Sequence, residues 1–208
     1  MSNTAATFGF KHVGYLPGYI ADYQLSTRLI SSANTTSIYF GDPVTKIASS
    51  QYIGAQTSTT GNVDGIFQGC FLIPSTGGAP IFSPYYPGAA GADVTAYVME
   101  SPGALLMAAA FSTNISSTTI GYNISFHTGT GSTVGGGFSG YTLDQATLTT
   151  ATTAQFQVVA LLGAPGNSNF GSGSSGAGAG NGADSTSAFN WVIVAFNNQR
   201  FKSLLGVQ

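Results

Sequence analysis

Hydrophobic and polar residues alternate along much of the chain with a period of two. The clearest run covers residues 120–127, where four large apolar residues alternate with four small or polar ones. This pattern is typical of a strand with one buried face. Eight further runs cover residues 36–40, 44–48, 65–73, 93–99, 105–112, 141–149, 154–162 and 189–196. Nine short strands predict an all-β fold, either an antiparallel β-sandwich of the jelly-roll kind or a barrel.

Turn residues separate these runs, and helix signals are weak. Clusters of Gly and Pro at residues 41–43, 74–78 and 101–103 are typical of turns. The helix formers Glu and Lys are nearly absent. One segment is ambiguous, because residues 103–111 contain Ala, Leu and Met with helical propensity but are bounded like a strand. We predict a strand there.

Two segments lack the alternation. Residues 1–35 are rich in aromatic side chains without a period, which predicts an extended N-terminal arm packed over the domain's own core or docked on a partner. Residues 163–188 are rich in Gly, Ser and Ala and predict a long flexible loop, either a disordered tip or an arm that orders against a neighbour. Residues 36–208, including this loop, are expected to form a single β domain.

The chain contains unusually few charged residues. Charged residues make up 6% of the 208 residues, where about 25% is usual. The formal net charge is −2, and the chain's five cations are scattered along the sequence, so we expect no direct binding of nucleic acid. A soluble monomer usually keeps about 25 to 35% of its surface charged. We therefore expect much of this surface to be covered by other protein.

The sequence lacks the signals of membrane insertion and export, and it contains a single cysteine. No run of apolar residues is long enough to span a membrane. Residues 1–5 lack the features of a secretory signal, so we expect synthesis in a cytoplasm without standard export. The single cysteine, Cys70, lies in the apolar run 66–73 and is expected to be a small buried hydrophobic residue.

Ionisable groups are too few to suggest catalysis. The only histidines, His12 and His127, are interpreted as surface residues rather than as bases or ligands. The aspartates lie near turns, where they bond local backbone, and neither calcium nor zinc spacing occurs. Motifs of phosphate loops and serine nucleophiles are missing too. We predict no catalytic residue, no cofactor and no metal.

Aromatic residues are the candidates for contacts with a partner, because interfaces are enriched in them. Five lie in the N-terminal arm and three in the proline-rich segment 80–87; they are Phe8, Phe10, Tyr15, Tyr19, Tyr23, Phe82, Tyr85 and Tyr86. An alternative is that Tyr85, Tyr86 and Trp191 stack on sugar rings, although a tryptophan within an alternating strand is more often a core residue.

Six blocks of sequence give the chain a resemblance to a known family. They are FGFKHVGY at 8–15, DYQL at 22–25, IYFGDPV at 38–44, GIFQGC at 65–70, DVTAYV at 93–98 and NWVIVAFNNQ at 190–199. In this order they resemble the capsid decoration, or cement, proteins of tailed bacteriophages, which are encoded near the major capsid protein. One departure is the Gly/Ser/Ala insert, which follows residues 165–167 and extends to Asn181.

The resemblance implies a β-rich virion protein on the outside of the phage head, made in the cytoplasm of the bacterial host. There it would stabilise the contacts between capsomers of the major capsid protein. The implied partners are that capsid protein and further copies of the chain, as a dimer or trimer. Two other functions stay open: a virion module that binds carbohydrate or another part of the host surface, and a subunit of the tail.

Overall fold

Twelve strands, one 3-10 turn and one short helix occur in the part of the chain described by the computed structural model, which comprises residues 7–21, 24–134, 136–162 and 186–203. The strands are β1 Lys11–Tyr15, β2 Ser26–Ile30, β3 Pro43–Lys46, β4 Ile53–Ala55, β5 Gly65–Leu72, β6 Ile81–Ser83, β7 Val94–Met99, β8 Ala104–Ala109, β9 Asn123–His127, β10 Thr142–Thr149, β11 Phe156–Leu161 and β12 Trp191–Phe196. The 3-10 turn is Ser117–Thr119, and the helix, α1, is Arg200–Ser203.

The strands form two antiparallel sheets, consistent with the predicted all-β sandwich. The first sheet has the order β1-β8-β12-β11-β9-β10, and the second has the order β2-β7-β5-β3-β4, with β6 also paired to β5. Every strand of the second sheet lies between residues 26 and 99, whereas the first sheet combines β1 with the strands that follow residue 103. The two sheets therefore divide the chain roughly into two halves.

Each sheet curls so that strands far apart in its order touch. A parallel bridge between Leu29 and Tyr52 brings β2 to the start of β4. In the first sheet, a parallel bridge between Ala110 and Leu143 brings the end of β8 to β10, and the Phe111 N–H donates to the Leu143 carbonyl at 2.7 Å. These bridges join strands from opposite sides of each sheet to one another.

Two apolar cores result. Large members of the first core are Phe10, Leu106, Phe126, Phe156 and Phe196, and those of the second are Ile30, Ile38, Phe67, Tyr86 and Val98. Val63, Ile66 and Met99 lie in or next to the second sheet but pack into the first core. These three residues join the two halves, because burial of their apolar surface is lost if the halves separate.

The alternating pattern predicted eight of the nine expected strands, including β8 in the ambiguous segment 103–111. Residues 36–40 form only single bridges, at Ile38 and Phe40. The pattern missed β1, β2, β4 and β6. β4 and β6 have three residues each, too few to show a period.

The described part of residues 1–35 is built into the domain. β1 pairs with β8, and β2 pairs with β7. The ring of Phe10 stacks on Phe156 with 4.5 Å between centroids. Gly9 has a φ of 68°, and a Cβ there would lie 2.4 Å from the Cβ of Ser139, so only glycine lets this segment approach so closely. Residues 163–185 of the predicted flexible loop lie outside the described residues.

No helix in the described part of the chain is both long enough and apolar enough to cross a membrane.

Candidate functional site

Charged side chains converge where the two halves of the chain meet. Five of them form what we call the charged cluster: Arg28 on β2, Lys46 at the end of β3, Asp64 just before β5, Glu100 just after β7 and Arg200 at the start of α1. The cluster holds three of the five cations in the whole chain. Such a concentration is notable in a protein with so few charges.

Arg28 and Glu100 form the best-defined pair of the cluster. The Arg28 Nε donates to Glu100 Oε1 at 2.7 Å, and Nη2 donates to Oε2 at 2.6 Å. The Glu100 side chain is 6% exposed and that of Arg28 37% exposed. These hydrogen bonds raise the pKa of Arg28 above its ordinary value. The guanidinium also lies 5.5 Å from the ring centre of Phe201, within reach of a cation–π contact.

Asp64 and Arg200 form a second, less complete pair. Asp64 Oδ1 lies 2.9 Å from Arg200 Nε, yet neither atom has a hydrogen bond of acceptable direction. Asp64 Oδ2 accepts from the backbone N–H of Lys46 at 2.8 Å. Burial raises the pKa of Asp64, while Arg200 and the Lys46 N–H oppose that shift.

A buried glutamine holds the two carboxylate-bearing segments together. Gln199 is fully buried, and its Nε2 donates to the backbone carbonyls of Asp64 and Glu100, each at 2.8 Å. The backbone of the same segment also pairs with Val63, since the Val63 N–H donates to the Asn198 carbonyl and the Arg200 N–H donates to the Val63 carbonyl. The C-terminal segment therefore positions Arg200 against the second sheet.

The cluster borders a pocket of about 290 Å³, which we call the charged pocket. It is lined by Arg28, Lys46, Gln51, Ile53, Asp64 and Arg200. Lys46 and Ile53 are directly paired across β3 and β4, so their side chains lie on the same face of the sheet. A second pocket, of about 440 Å³, borders Glu100 and Phe201. Arg28 therefore lines the charged pocket, while its partner Glu100 lines the second pocket.

The charged pocket has the chemistry of an anion site. Three cations and the carboxylates of Asp64 and Glu100 leave one positive charge. Within the described residues, no three His, Cys, Asp or Glu side chains are grouped closely enough to hold a metal ion. Sequence analysis missed this site, because its five charged residues are spread from position 28 to position 200.

Three of the predicted contact residues belong to the interior of this chain, which corrects the prediction that they contact a partner. Phe10 and Tyr86 are fully buried, and Phe8 is nearly so. Phe8 packs edge-on against Trp191 at 5.2 Å, and the Tyr86 hydroxyl donates to the Asn34 carbonyl at 2.6 Å. The curled sheets need large apolar side chains to fill their cores, and these residues supply them.

The other predicted contact residues do not form one surface. Tyr15 is half-buried against the first core, and half-buried Tyr85 stacks on Tyr39 with centroids 5.9 Å apart. Tyr19 and Phe82 are exposed, at 47% and 61%. Tyr23 lies outside the described residues.

Phe82 belongs to an apolar strip on the outer face of the second sheet. Leu29 is paired with Thr95, Thr95 with Phe71, and Phe71 with Phe82, so their side chains share one face. The Tyr97 ring lies 6.1 Å from that of Phe82. We call Leu29, Phe71, Phe82 and Tyr97 the outer apolar row; the first three are exposed and Tyr97 is half-buried.

The histidines, the cysteine and the aspartates that the structure describes are packed or hydrogen-bonded within the fold. The His127 ring stacks on Phe111 at 3.6 Å, and burial lowers the pKa of half-buried His12. Cys70 is fully buried, as predicted. Asp42 accepts a hydrogen bond from the backbone N–H of Tyr39 in the adjacent turn, which confirms its predicted role. Asp144 accepts from the nearby N–H of Ala146 but lies inside β10. Asp64 and Asp93 accept from the distant backbone N–H groups of Lys46 and Ser32, so the prediction of local turn bonding is wrong for these two.

Comparisons of the chain with protein-family models, with curated proteins and with solved structures find no match.

Proposed function

We propose that this chain is a structural protein that attaches to the outside of a tailed-phage head and stabilises the contacts between capsomers of the major capsid protein. The observation that carries the proposal is that, within the part of the chain that the structure describes, few charged side chains are left without a partner at the surface. A surface of this kind suits burial against protein more than free solution, because charged residues are depleted in the centres of interfaces.

Four of the five cations, all except Lys46, support this view. Lys11 lies 5.0 Å from the ring centre of Phe8 and 4.9 Å from that of Phe138, and the Lys202 ammonium donates to the Phe196 carbonyl. Both arginines are paired with carboxylates. Among the carboxylates, Asp42, Asp64 and Glu100 are buried.

The outer apolar row supplies a contact surface. Phe71 and Phe82 are 45% and 61% exposed on adjacent strands, and Leu29 extends the same face across β7 to β2. Removing such side chains from water contributes about 1.5 to 3 kcal/mol per residue. Repetition of the contact over many capsid positions, with the chain present as a dimer or trimer, would multiply this gain.

We also propose a finer architecture. The bridges from Leu29 to Tyr52 and from Ala110 to Leu143 favour two small barrel-like units, each around its own core, over a jelly roll with one shared core. Two compact units side by side would let one chain span the seam between neighbouring capsid subunits.

The alternatives receive less support from the geometry. A sugar-binding platform needs exposed rings, whereas Tyr86 is fully buried and half-buried Trp191 packs on Phe8. A tail subunit would share the low surface charge, and copy number distinguishes it from a capsid protein.

The test uses particles of the phage that encodes the chain, made with and without the gene. We expect the chain in purified heads at a copy number comparable with that of the major capsid protein, and heads without it should lose their DNA at a lower temperature. Adding back the purified chain should restore heat resistance, because a ligand that binds only the intact shell stabilises it. Recovery of only a few copies, or of copies only in the tail fraction, would contradict the proposal.

A further inference from the structure

We infer that the charged pocket is a binding site for a single carboxylate group, held by Lys46 and Arg200 with Ile53 as the apolar wall beside it. The pocket of about 290 Å³ is lined by these three residues together with Arg28, Gln51 and Asp64. This inference does not depend on the proposed function, because it concerns the chemistry of the pocket alone.

Lys46 and Arg200 have side-chain hydrogen-bond donors that no described residue accepts from. The ammonium of half-buried Lys46 has no hydrogen bond or ion pair with any residue in the described ranges. Arg200 has an ion-pair contact with Asp64, but its guanidinium makes no hydrogen bond of acceptable direction to a described residue. Arg28, by contrast, already uses two donors on Glu100. A carboxylate accepts such donors with charge-assisted hydrogen bonds.

The balance of charge indicates an anion with one negative charge. Glu100 compensates the charge of Arg28, and Asp64 compensates that of Arg200. The cluster is left with one uncompensated positive charge, which a carboxylate would neutralise. The Asp64 side chain is 4% exposed and lines the same pocket. Its negative charge would repel a dianion such as phosphate more strongly than a monoanion, and poor solvation keeps that repulsion strong.

A purely structural ion-pair network is the competing explanation. It accounts for Arg28 with Glu100 and for Arg200 with Asp64, since each arginine has a carboxylate partner. It does not account for Lys46, which lines the same pocket and whose ammonium has no partner among the described residues. Lys46 therefore distinguishes the two explanations, because its removal should affect binding of the anion and hardly affect folding.

The experiment measures binding of sodium acetate to the full chain by NMR chemical-shift titration, with ionic strength held constant by sodium chloride. The variants are Lys46→Met and, as a matched control, Lys11→Met, which removes the same charge from a site outside the pocket. We expect saturable shifts of the backbone amides of Lys46 and Asp64 in the wild type and in Lys11→Met. Loss of a charge-assisted hydrogen bond should weaken binding about tenfold or more in Lys46→Met.

Three outcomes would overturn the inference. The first is equal binding by the wild type and Lys46→Met, and the second is no saturable shift in either, provided that thermal unfolding shows both to be folded. The third is tighter binding of inorganic phosphate than of acetate, which would reject the assignment to a monoanion.

The carboxylate can belong to a free acid or to an acidic side chain of a protein, and a second titration separates the two. N-acetylglutamate N-methylamide presents only a side-chain carboxylate, and the glutamine analogue is its uncharged control. Tighter binding of the capped glutamate than of acetate would support a protein side chain as the occupant. Tighter binding of acetate would support a small free acid, and binding of the glutamine analogue as strong as that of the glutamate would contradict a carboxylate site.

Discussion

Arg28 donates two hydrogen bonds to Glu100 across 72 positions of sequence, and the two side chains differ sharply in their exposure to solvent. Glu100 is almost completely buried, whereas more than a third of the Arg28 side chain reaches water. The two single substitutions at this pair should therefore have unequal effects on stability.

Arg28→Met should be the more damaging change, because it leaves a carboxylate buried without its counter-ion. We expect it to lower the free energy of unfolding by about 3 to 5 kcal/mol. Glu100→Gln leaves an arginine that can turn towards water and should lower it by about 1 to 2 kcal/mol. Urea denaturation of both variants gives these values. Equal losses would show that the exposure of Arg28 does not matter.

A fully apolar replacement of the pair provides the control. The double variant Arg28→Met with Glu100→Met leaves no unpaired charge, and we expect it to recover most of the stability lost in Arg28→Met alone. The interaction energy from the double-mutant cycle measures this recovery. If the losses in the free energy of unfolding of the two single variants simply add up in the double variant, the two residues are not directly coupled.

Gln199 is expected to be important for stability although it lies outside every strand. Its side-chain N–H groups donate to the carbonyls of Asp64 and Glu100, and Gln199→Leu would leave both buried carbonyls without this donor. We expect a loss of about 2 to 4 kcal/mol in the free energy of unfolding. The matched control is Gln157→Leu, because exposed Gln157 makes one similar bond to the Gly121 carbonyl and should change stability by less than about 0.5 kcal/mol. Similar losses in the two variants would contradict the prediction.

A substitution of Phe10 tests whether the N-terminal segment is a separable arm or an integral part of the fold. The structure stacks this ring on Phe156 in the first core, so Phe10→Ala should lower the free energy of unfolding by about 3 to 5 kcal/mol. Thermal and urea unfolding of the isolated chain test this expectation. Tyr19→Ala, at an exposed ring of the same segment, serves as the control and should have a much smaller effect. Wild-type stability of Phe10→Ala would show that the segment is a separable arm.

The difference between the predicted and observed strands has a physical cause in β2. There the residue types do not alternate with the faces, because polar Arg28 shares the inward face with buried Ile30 while apolar Leu29 is exposed on the outer face. A reading that places apolar residues inside cannot identify such a strand. The runs at 65–73 and 154–162 were predictable, since their apolar residues fill the cores.

The charged cluster could not be predicted for a different reason. Its members are single charged residues at strand ends or beside turns, and only the curl of the second sheet with the attached C-terminal segment brings them together. No local spacing reflects contacts between residues as distant as Asp64 and Arg200. The burial of Cys70, in contrast, followed from its immediate apolar neighbours.

Asp42 should make stability depend on pH. Burial raises the pKa of this carboxyl to about 6, against the opposing effects of the nearby Ser139 side chain and of the hydrogen bond from the Tyr39 N–H. Because the folded protein then holds the proton more tightly than the unfolded chain, this group favours folding most at low pH. Its contribution to the free energy of unfolding should fall by about 3 kcal/mol as the pH rises from about 4 to about 6.

Asp42→Asn should flatten the pH dependence of stability in that range, since the amide stays neutral at every pH. Urea denaturation at intervals between pH 4 and pH 7 measures the slope for wild type and variant. Asp144→Asn removes the same charge from a half-buried position in β10 and serves as the control. An unchanged slope in Asp42→Asn would show that Asp42 is already ionised throughout this range in the folded protein.

The outer apolar row should contribute to attachment and not to folding. Phe82→Ser replaces a ring that is 61% exposed, so the free energy of unfolding should fall by less than about 1 kcal/mol. If the row is buried against the capsid, loss of the ring removes about 1.5 to 3 kcal/mol of apolar burial, or roughly a tenfold to hundredfold weakening of binding. Co-sedimentation of purified chain with heads that lack it measures the change.

Ile20→Ser is the matched control for this experiment, because Ile20 is 87% exposed but lies outside the second sheet. It should sediment with heads like the wild type, since loss of an exposed apolar side chain matters only where a partner covers it. A double variant, Phe71→Ser with Phe82→Ser, should bind more weakly than either single variant, because the two rings are neighbours across β5 and β6. Normal sedimentation of this double variant would rule out the outer face of the second sheet as the surface that contacts the capsid.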